Sequence, residues 1–364
     1  MAAISVIVCG INGVIGGSTH SERRTMSKVK TIVVGTGGFA RYHIRTMMGM
    51  QRSTDIVGFV EPSEASRVAT AALFSEKGIP CPPFFTTIRD WIANHGVADA
   101  ALICSPHKFH FENAKDCLLN GMDVCVEKPM VMNASEAQRL IDLRNKTGRL
   151  VMVAFPGSLS PAIWKAKQVL AKGAIGEVNS LSAYAHQSWK VGTIGTWRQI
   201  PEISGGGFLF DTGSHMVNTV VDLLGADVAC VTALLDNRKT PVEINSSVSG
   251  LTTNGVMFSL AGAGDSVQCA SQVLVFGDRG ILKTGIWGEC LLMKKSNEAE
   301  FKPIPYRKSR GPWEQFLRVR SGKMENPCPP EVGLRFAKLM DMIRLSAETG
   351  RTATSRLQGK PRRT

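Results

Sequence analysis

Between Val29 and Phe155 short apolar runs alternate with segments of helical period, and no other feature restricts the possible folds so sharply. Thr31–Val34, Ile56–Val60, Ala100–Cys104, Val124–Val126 and Leu150–Phe155 read as strands. Between them, patterns such as Phe111, Ala114 and Leu118 at i, i+3 and i+7 would bury one stripe of a helix. Strand–helix alternation of this kind predicts a parallel sheet covered on both faces, the doubly wound α/β class.

The second half obeys a different pattern. After a helix around Ile163, Ala166 and Leu170 come Glu177–Ser188, Val228–Asp236, Ser246–Thr252, Val256–Ala261, Ser266–Val275 and Glu289–Lys294, all strand-like and punctuated by Gly, Asn and Asp. Strands that follow one another without helices predict a large, mostly antiparallel open sheet in an α+β domain. Phe336, Leu339, Met340 and Ile343 mark a last helix that stops at Gly350. The expected division is a dinucleotide-binding domain over 28–153 and a substrate-binding and oligomerisation domain over 154–350. Residues 1–27 are expected to be a dispensable extension, and 351–364 a basic, mobile tail.

At 364 residues two domains are natural, and 43% hydrophobic with 20% charged residues is ordinary globular composition. The net charge of +13 suggests nucleic acid, but residues 1–30 carry +3 of it and 351–364 carry +5, leaving +5 for the 320 residues between. That body has no Lys/Arg stripe interleaved with aromatics, so nucleic acid is not an expected partner. No apolar run is long enough to span a membrane. Nine cysteines occur without a C-x-x-C pair, which fits reduced thiols in the cytoplasm.

Three motifs carry chemistry. The first is Gly35-Thr36-Gly37-Gly38-Phe39-Ala40, a G-x-G-x-x-A between the first strand and a helix predicted over Arg41–Met50. Gly35 permits the tight turn, Gly37 lets backbone approach a pyrophosphate, and Ala40 lets helix and strand pack closely. Glu61, closing the next strand, is placed to accept hydrogen bonds from ribose hydroxyls. Its charge disfavours a 2′-phosphate, which points to NAD; Arg67 leaves NADP open if it turns inward. The second motif is Glu127-Lys128-Pro129 at the end of the Val124–Val126 strand, where ligands of open parallel sheets bind. The third is Gly205-Gly206-Gly207 leading through Asp211 to His215. The glycines read as flexible, and Asp211 and His215 as a carboxylate and an imidazole base at i and i+4 on one helix face. Trp197 beside Arg198 reads equally as a pocket wall and as packing. His107 and His110, at i and i+3, lack a third ligand, so no metal is expected.

Taken in order, these pieces resemble the Gfo/Idh/MocA oxidoreductases, the family of glucose–fructose oxidoreductase and inositol dehydrogenase. The likeness runs from about Val29 to Arg351. It includes Ser105-Pro106 with His110, Gly173-Ala174-Ile175-Gly176-Glu177-Val178, Trp197-Arg198 and Phe276-Gly277-Asp278-Arg279-Gly280. The resemblance implies that Ser105, Pro106, His110, Glu127 and Lys128 join Gly35, Gly37, Gly38, Phe39, Ala40 and Glu61 in holding the cofactor, and that the Lys128–Pro129 bond is cis. It also implies Lys128, Asp211 and His215 at the reacting carbon, with Trp197 and Arg198 towards the substrate. The chain departs from the family's pattern in Phe155-Pro156-Gly157-Ser158-Leu159, which is polar only at serine, and in Asn218, where an acid is common; the substrate is left unnamed. The expected activity is an NAD(P)-dependent dehydrogenase acting on a secondary alcohol of a sugar or polyol. The alternatives are a non-catalytic dinucleotide-binding regulator and an NAD-dependent glycoside-cleaving relative. Val231, Ala233 and Leu235 share one strand face, as do Val273 and Val275, and packing of such faces between subunits predicts a homodimer or homotetramer.

Overall fold

The computed structural model describes residues 28–355. Expectations for 1–27 and for 356–364 lie outside the described residues. The first sheet holds β1 (Val29–Val34), β2 (Thr54–Val60), β3 (Phe84–Phe85), β4 (Ala100–Ile103), β5 (Asp123–Val126) and β6 (Val151–Val153). All pairs are parallel, in the order β3-β2-β1-β4-β5-β6. This is the strand order of a doubly wound dinucleotide-binding domain, with its switch point between β1 and β4. Helices α1 (Gly38–Met48), α2 (Glu64–Ser75), α3 (Ile88–His95), α4 (His110–Leu119) and α5 (Ala134–Thr147) connect the strands. Ile32, Val33, Leu102, Ile103, Val124 and Val126 are wholly buried, as strands covered on both faces must be. The two-residue β3 has no periodicity to read, and sequence alone did not reveal it.

Beyond β6 lie α6 (Pro161–Ala171), β7 (Val178–Ser188), the short helices α7 (Trp189–Gly192) and α8 (Pro201–Ser204), and α9 (Gly213–Leu224). The strands β8 (Val228–Asp236), β9 (Asn245–Thr252), β10 (Met257–Ala263), β11 (Asp265–Gly277), β12 (Gly280–Thr284), β13 (Leu291–Lys295) and β14 (Lys302–Pro303) follow. Then come α10 (Pro312–Arg320), α11 (Pro330–Thr349) and β15 (Ala353–Thr354). The nine-stranded sheet runs β14-β13-β12-β11-β7-β10-β9-β8-β15 and is antiparallel except for the β7–β10 pair. The tail expected to be mobile from residue 351 is instead paired at its start: Ala353 and Thr354 lie against Val231 and Cys230 of β8, and Ala353 is buried.

The sheet faces differ from expectation in a way that matters for assembly. Val231, Ala233, Val273 and Val275 are buried within the chain, on the face that packs against α6, α9 and α11. They need no second subunit to cover them. The opposite face presents Ser182, Ser247, Ser249, Ser259 and Thr232, with Tyr184, Leu234 and Met257 exposed among them. Period-two alternation identified two faces but not which one the helices of the same chain would occupy. The C-terminal helices also return to the first domain. The indole N–H of Trp313 donates to Thr54 Oγ1 (2.9 Å), and Val153 N–H at the sheet's edge donates to Cys328 O (2.9 Å).

Candidate active site

The glycine turn after β1 is built for close approach. Gly35 has φ +83°, and a Cβ there would stand 2.6 Å from the backbone N of Ser105, so neither its conformation nor its space admits a side chain. Gly37 differs: a Cβ on it meets no protein atom within 4 Å. The space in front of Gly37 is open, and the N-terminus of α1 behind it has neither a side-chain cap nor an acidic residue in its first turn. Free N–H groups beside open space suit a pyrophosphate. Glu61 is buried, and its carboxylate accepts hydrogen bonds from the N–H of Thr36 (2.7 Å) and of Ser63 (2.8 Å). It thus fixes the turn while keeping lone pairs for a ribose. Arg67 Nε donates to the carbonyl of Glu61 (2.6 Å).

At the carboxyl ends of β4 and β5 the chain folds into a buried scaffold. Ser105 Oγ accepts from Asn113 Nδ2 (2.9 Å). The ring nitrogens of His110 face Pro129 O (2.8 Å) and Ser105 O (2.7 Å), so this side chain braces the loop after β4 against the cis Lys128–Pro129 turn rather than binding metal. Among the described residues no group of His, Cys, Asp and Glu has the arrangement of a metal site. Glu127 is buried between two partners: its Oε1 lies 2.8 Å from His43 Nε2 of α1, and its Oε2 accepts the N–H of Lys128 (3.1 Å). His43 therefore joins the cofactor helix to the lysine motif, a contact that neither motif announces.

Lys128 Nζ is 3.0 Å from both Asp211 Oδ1 and Asp211 O. The other carboxylate oxygen of Asp211 accepts from Trp189 Nε1 (2.9 Å) and Arg198 Nε (2.9 Å). Burial works against the charged form of Asp211, but Lys128, His107, Arg198 and the Trp189 N–H outweigh it and hold the carboxyl well below the usual carboxylate range. Asp211 thus serves Lys128 and Arg198. It makes no hydrogen bond to His215, contrary to the i, i+4 expectation, because α9 begins only at Gly213 and Asp211 sits in the turn before it. The triple glycine is tight rather than flexible. A Cβ on Gly207 would fall 1.9 Å from Glu243 O, and the half-buried Glu243 carboxylate accepts from the N–H of Gly207 (2.5 Å) and of Phe210 (3.2 Å).

His215 projects from the first turn of α9 against Trp287, with ring centroids 5.5 Å apart and Nδ1 buried without a protein partner. Burial, then the charge of Lys128, pushes its pKa well below the ordinary imidazole value, so the ring is neutral. A cavity of about 530 Å³ collects Phe39, Ser105, His110, Glu127, Lys128, Trp197, Arg198, Asp211 and His215 on its walls. Gly35, Gly37, Gly38, Ala40, Glu61 and Pro106 are not part of that lining. His107, Gln187, Trp189 and Trp287 line it too; the last three stand outside every motif in the sequence. The two departures from the family's pattern meet beneath the site. Asn218 Nδ2 donates to Ser158 Oγ (2.8 Å), which donates to Asp222 Oδ2 (3.2 Å), all three buried. The acid absent at 218 is present one turn on, and there it pairs with Lys167 (2.7 Å) and Arg335 (3.4 Å).

Residues 29–155 match the model of an oxidoreductase family with an NAD-binding Rossmann fold, and 163–283 match the GFO/IDH/MocA C-terminal domain. The chain belongs to the Gfo/Idh/MocA oxidoreductase family. It is 25% identical to oxidoreductase P35 of Formosa agariphila over 71% of this chain and 82% of that one. It is 29% identical to D-glucoside 3-dehydrogenase of Escherichia coli, over 35% of this chain and 36% of that one. Among solved structures, the WlbA dehydrogenase of Bordetella pertussis, in complex with NADH and UDP-GlcNAcA, has a TM-score of 0.78 at 20% identity. That match covers 91% of this chain and all of the other. The aldose-aldose oxidoreductase of Caulobacter crescentus, complexed with glycerol, has a TM-score of 0.76 at 21% identity, covering 90% and 100%.

Proposed function

We propose that this protein is a dehydrogenase that uses NAD to oxidise a secondary alcohol of a sugar, polyol or related small molecule. The observation that carries the reading is the Lys128–Asp211 pair at 3.0 Å on the wall of a cavity that also holds the neutral imidazole of His215. The nicotinamide cofactor supplies the hydride acceptor when bound, with Gly35, Gly37, Gly38 and Glu61 holding its pyrophosphate and ribose and Phe39, Ser105 and His110 nearer its reactive end. Asp211 points the ammonium of Lys128 into the cavity, where it donates to the substrate oxygen and makes the hydroxyl more acidic. His215, uncharged, takes the hydroxyl proton. The buried carboxylate of Glu61 at the end of β2, whose charge disfavours a 2′-phosphate, supports NAD over NADP. Eight cysteines described as free thiols fit a reducing compartment. The test is a panel of aldoses, methyl glycosides and inositols with NAD and NADP separately, followed at the reduced-nicotinamide absorbance. Oxidation of a panel member that is lost in Lys128→Ala supports the reading, and no oxidation anywhere on the panel sinks it.

A further inference from the structure

A second cavity, of about 780 Å³, lies between α6, the loop after β14 and α10, and shares no lining residue with the one described above. Its lining holds five basic side chains, Lys165, Arg307, Lys308, Arg310 and Arg318, and no acid. Arg310 pairs with Glu314, which stands outside the lining. Among the described residues the other four have no carboxylate partner. Lys165 and Arg318 are half-buried, so part of their hydration is already gone. Like charges gathered around one hollow without a counter-charge repel each other, and a bound anion relieves that repulsion. Gln315, fully buried, fixes the shape. Its Nε2 donates to Leu159 O (3.1 Å) and to Arg310 O (2.7 Å), which pins the basic loop to α10 and to the turn before α6. Both partners are carbonyls, so the orientation of the amide is determined. Its Oε1 is left buried without a protein partner, and the floor of the cavity is one hydrogen-bond donor short. Trp164 and Tyr306 stand on the same lining with their polar atoms already engaged. Trp164 Nε1 donates to Ser158 O (2.5 Å) and Tyr306 OH to Glu289 O (3.1 Å), so what they offer a ligand is ring surface.

We propose that this cavity is a binding site for a small organic phosphate, with the phosphate on the Arg and Lys groups and the organic part against Trp164 and Tyr306. Guanidinium groups hold phosphate through paired N–H donors, and the lining supplies three of them beside two ammonium groups. The volume is that of a small-molecule site. Nucleic acid is the other polyanion that a basic surface attracts, but it is held along an extended track of phosphate contacts. These cations instead gather around one hollow whose walls come from two helices and a loop. The inference stands apart from the dehydrogenase reading, since none of these residues lines the active-site cavity.

The experiment takes the full chain saturated with NADH, so that the dinucleotide turn is occupied, and titrates it by calorimetry with pyrophosphate and with ATP at physiological salt, without magnesium. ATP is expected to bind at one site per chain with Kd below ~1 mM, and more tightly than pyrophosphate, because only ATP has a part to lay on the rings. Arg307→Gln combined with Arg318→Gln is expected to weaken ATP ~10-fold or more, the usual worth of hydrogen bonds to charged groups. Tyr306→Ala is expected to remove the preference for ATP over pyrophosphate. Lys77→Gln combined with Lys146→Gln makes the same charge change on exposed positions of the first domain, and is expected to leave ATP binding unchanged. NADH fluorescence and melting temperature are expected to match wild type in every variant, which separates a lost contact from a damaged fold. Absence of ATP binding overturns the inference. Equal weakening in the Lys77 and Lys146 variant also overturns it, since net charge alone would then hold the anion. Pyrophosphate bound as tightly as ATP overturns the assignment to an organic phosphate. A single-stranded thymidine oligonucleotide that displaces ATP and gathers several chains on one strand overturns it in favour of nucleic acid.

Discussion

Single side chains in the cavity around Lys128 and His215 are tuned mainly by loss of water, and the consequence is visible in pH. An imidazole base at its ordinary pKa would give an oxidation rate rising through neutrality. The half-buried ring of His215 instead has its Nδ1 cut off from water and feels the charge of Lys128, both of which disfavour its charged form. It is neutral, and competent to take a proton, at any pH above its lowered pKa. The limb it contributes therefore lies on the acid side of about 6.5, the ordinary imidazole value, and the rate is level above that. His215→Ala should lower kcat by ~10²–10⁴-fold, the usual worth of a positioned base, and should remove the acid limb, with NADH affinity little changed. A limb centred near neutrality that survives the substitution would show that another group titrates. The same depression acts on stability. His107, His110 and His215 all have folded-state values below the unfolded one, so the unfolded chain binds protons first as pH falls. Stability is full above about 6.5 and declines below it, with Asp211 adding its loss below the ordinary carboxylate value. Urea midpoints measured from pH 8 to pH 4 should fall, and the slope should shrink in His107→Leu. Asp211→Ala leaves Lys128 and Arg198 facing each other without their carboxylate, and about 3–5 kcal/mol of stability should go with it.

Between elements, the decisive quantities are clearances that a sequence does not print. Gly35, Gly37 and Gly207 look alike in the chain, yet a methyl group would meet backbone at 2.6 Å on the first, nothing on the second and backbone at 1.9 Å on the third. Gly37→Leu should therefore keep the wild-type melting temperature within a few degrees while abolishing NADH binding. Gly35→Ala and Gly207→Ala should unfold the protein at lower temperature, by the ~1–3 kcal/mol that overpacking typically costs. Loss of stability in Gly37→Leu, or NADH binding that persists in it, would contradict the reading of that open space. What was legible follows the same division. The glycine turn, Glu61 and the Glu127-Lys128-Pro129 motif were readable because each is local: a strand end, a turn and a helix start within a few residues. His43, Trp189 and Glu243 were not, because they act across 84, 22 and 36 residues of chain on Glu127, Asp211 and Gly207. Asp211 was misread for a related reason. The i, i+4 rule presumes a helix already begun, and α9 starts two residues later.

For the whole molecule, the strand alternation announced two sheets, but which face of the larger sheet stays open depends on where distant helices return. α11, far along the chain, settles on β8 and covers Val231 and Ala233. The face left over carries Ser182, Ser247, Ser249 and Ser259 beside longer side chains such as Tyr184, Leu274 and Lys283, with Ser182 and Ser259 bonded to each other at 3.0 Å. Leu234 and Met257 stand exposed on it at 73% and 62%. A broad open sheet face with apolar side chains among its short polar ones can bury area against a second, identical sheet, and self-association on such a face is isologous. We expect a second copy of the chain to cover it, giving a dimer or a dimer of dimers. Such an interface is sensitive at its centre, where a long charged side chain has no room and repeats itself across the symmetry axis. Ser249→Arg, on the exposed face of the interior strand β9, should convert the oligomer to monomer by light scattering at micromolar concentration, while Val231 and Val273, sealed beneath the helices, keep the fold. The monomer should still bind NADH, because the glycine turn and Glu61 lie in the other sheet's domain. A wild type that is already monomeric would overturn the expected oligomer, and a Ser249→Arg variant that stays oligomeric would place the contact elsewhere on the molecule.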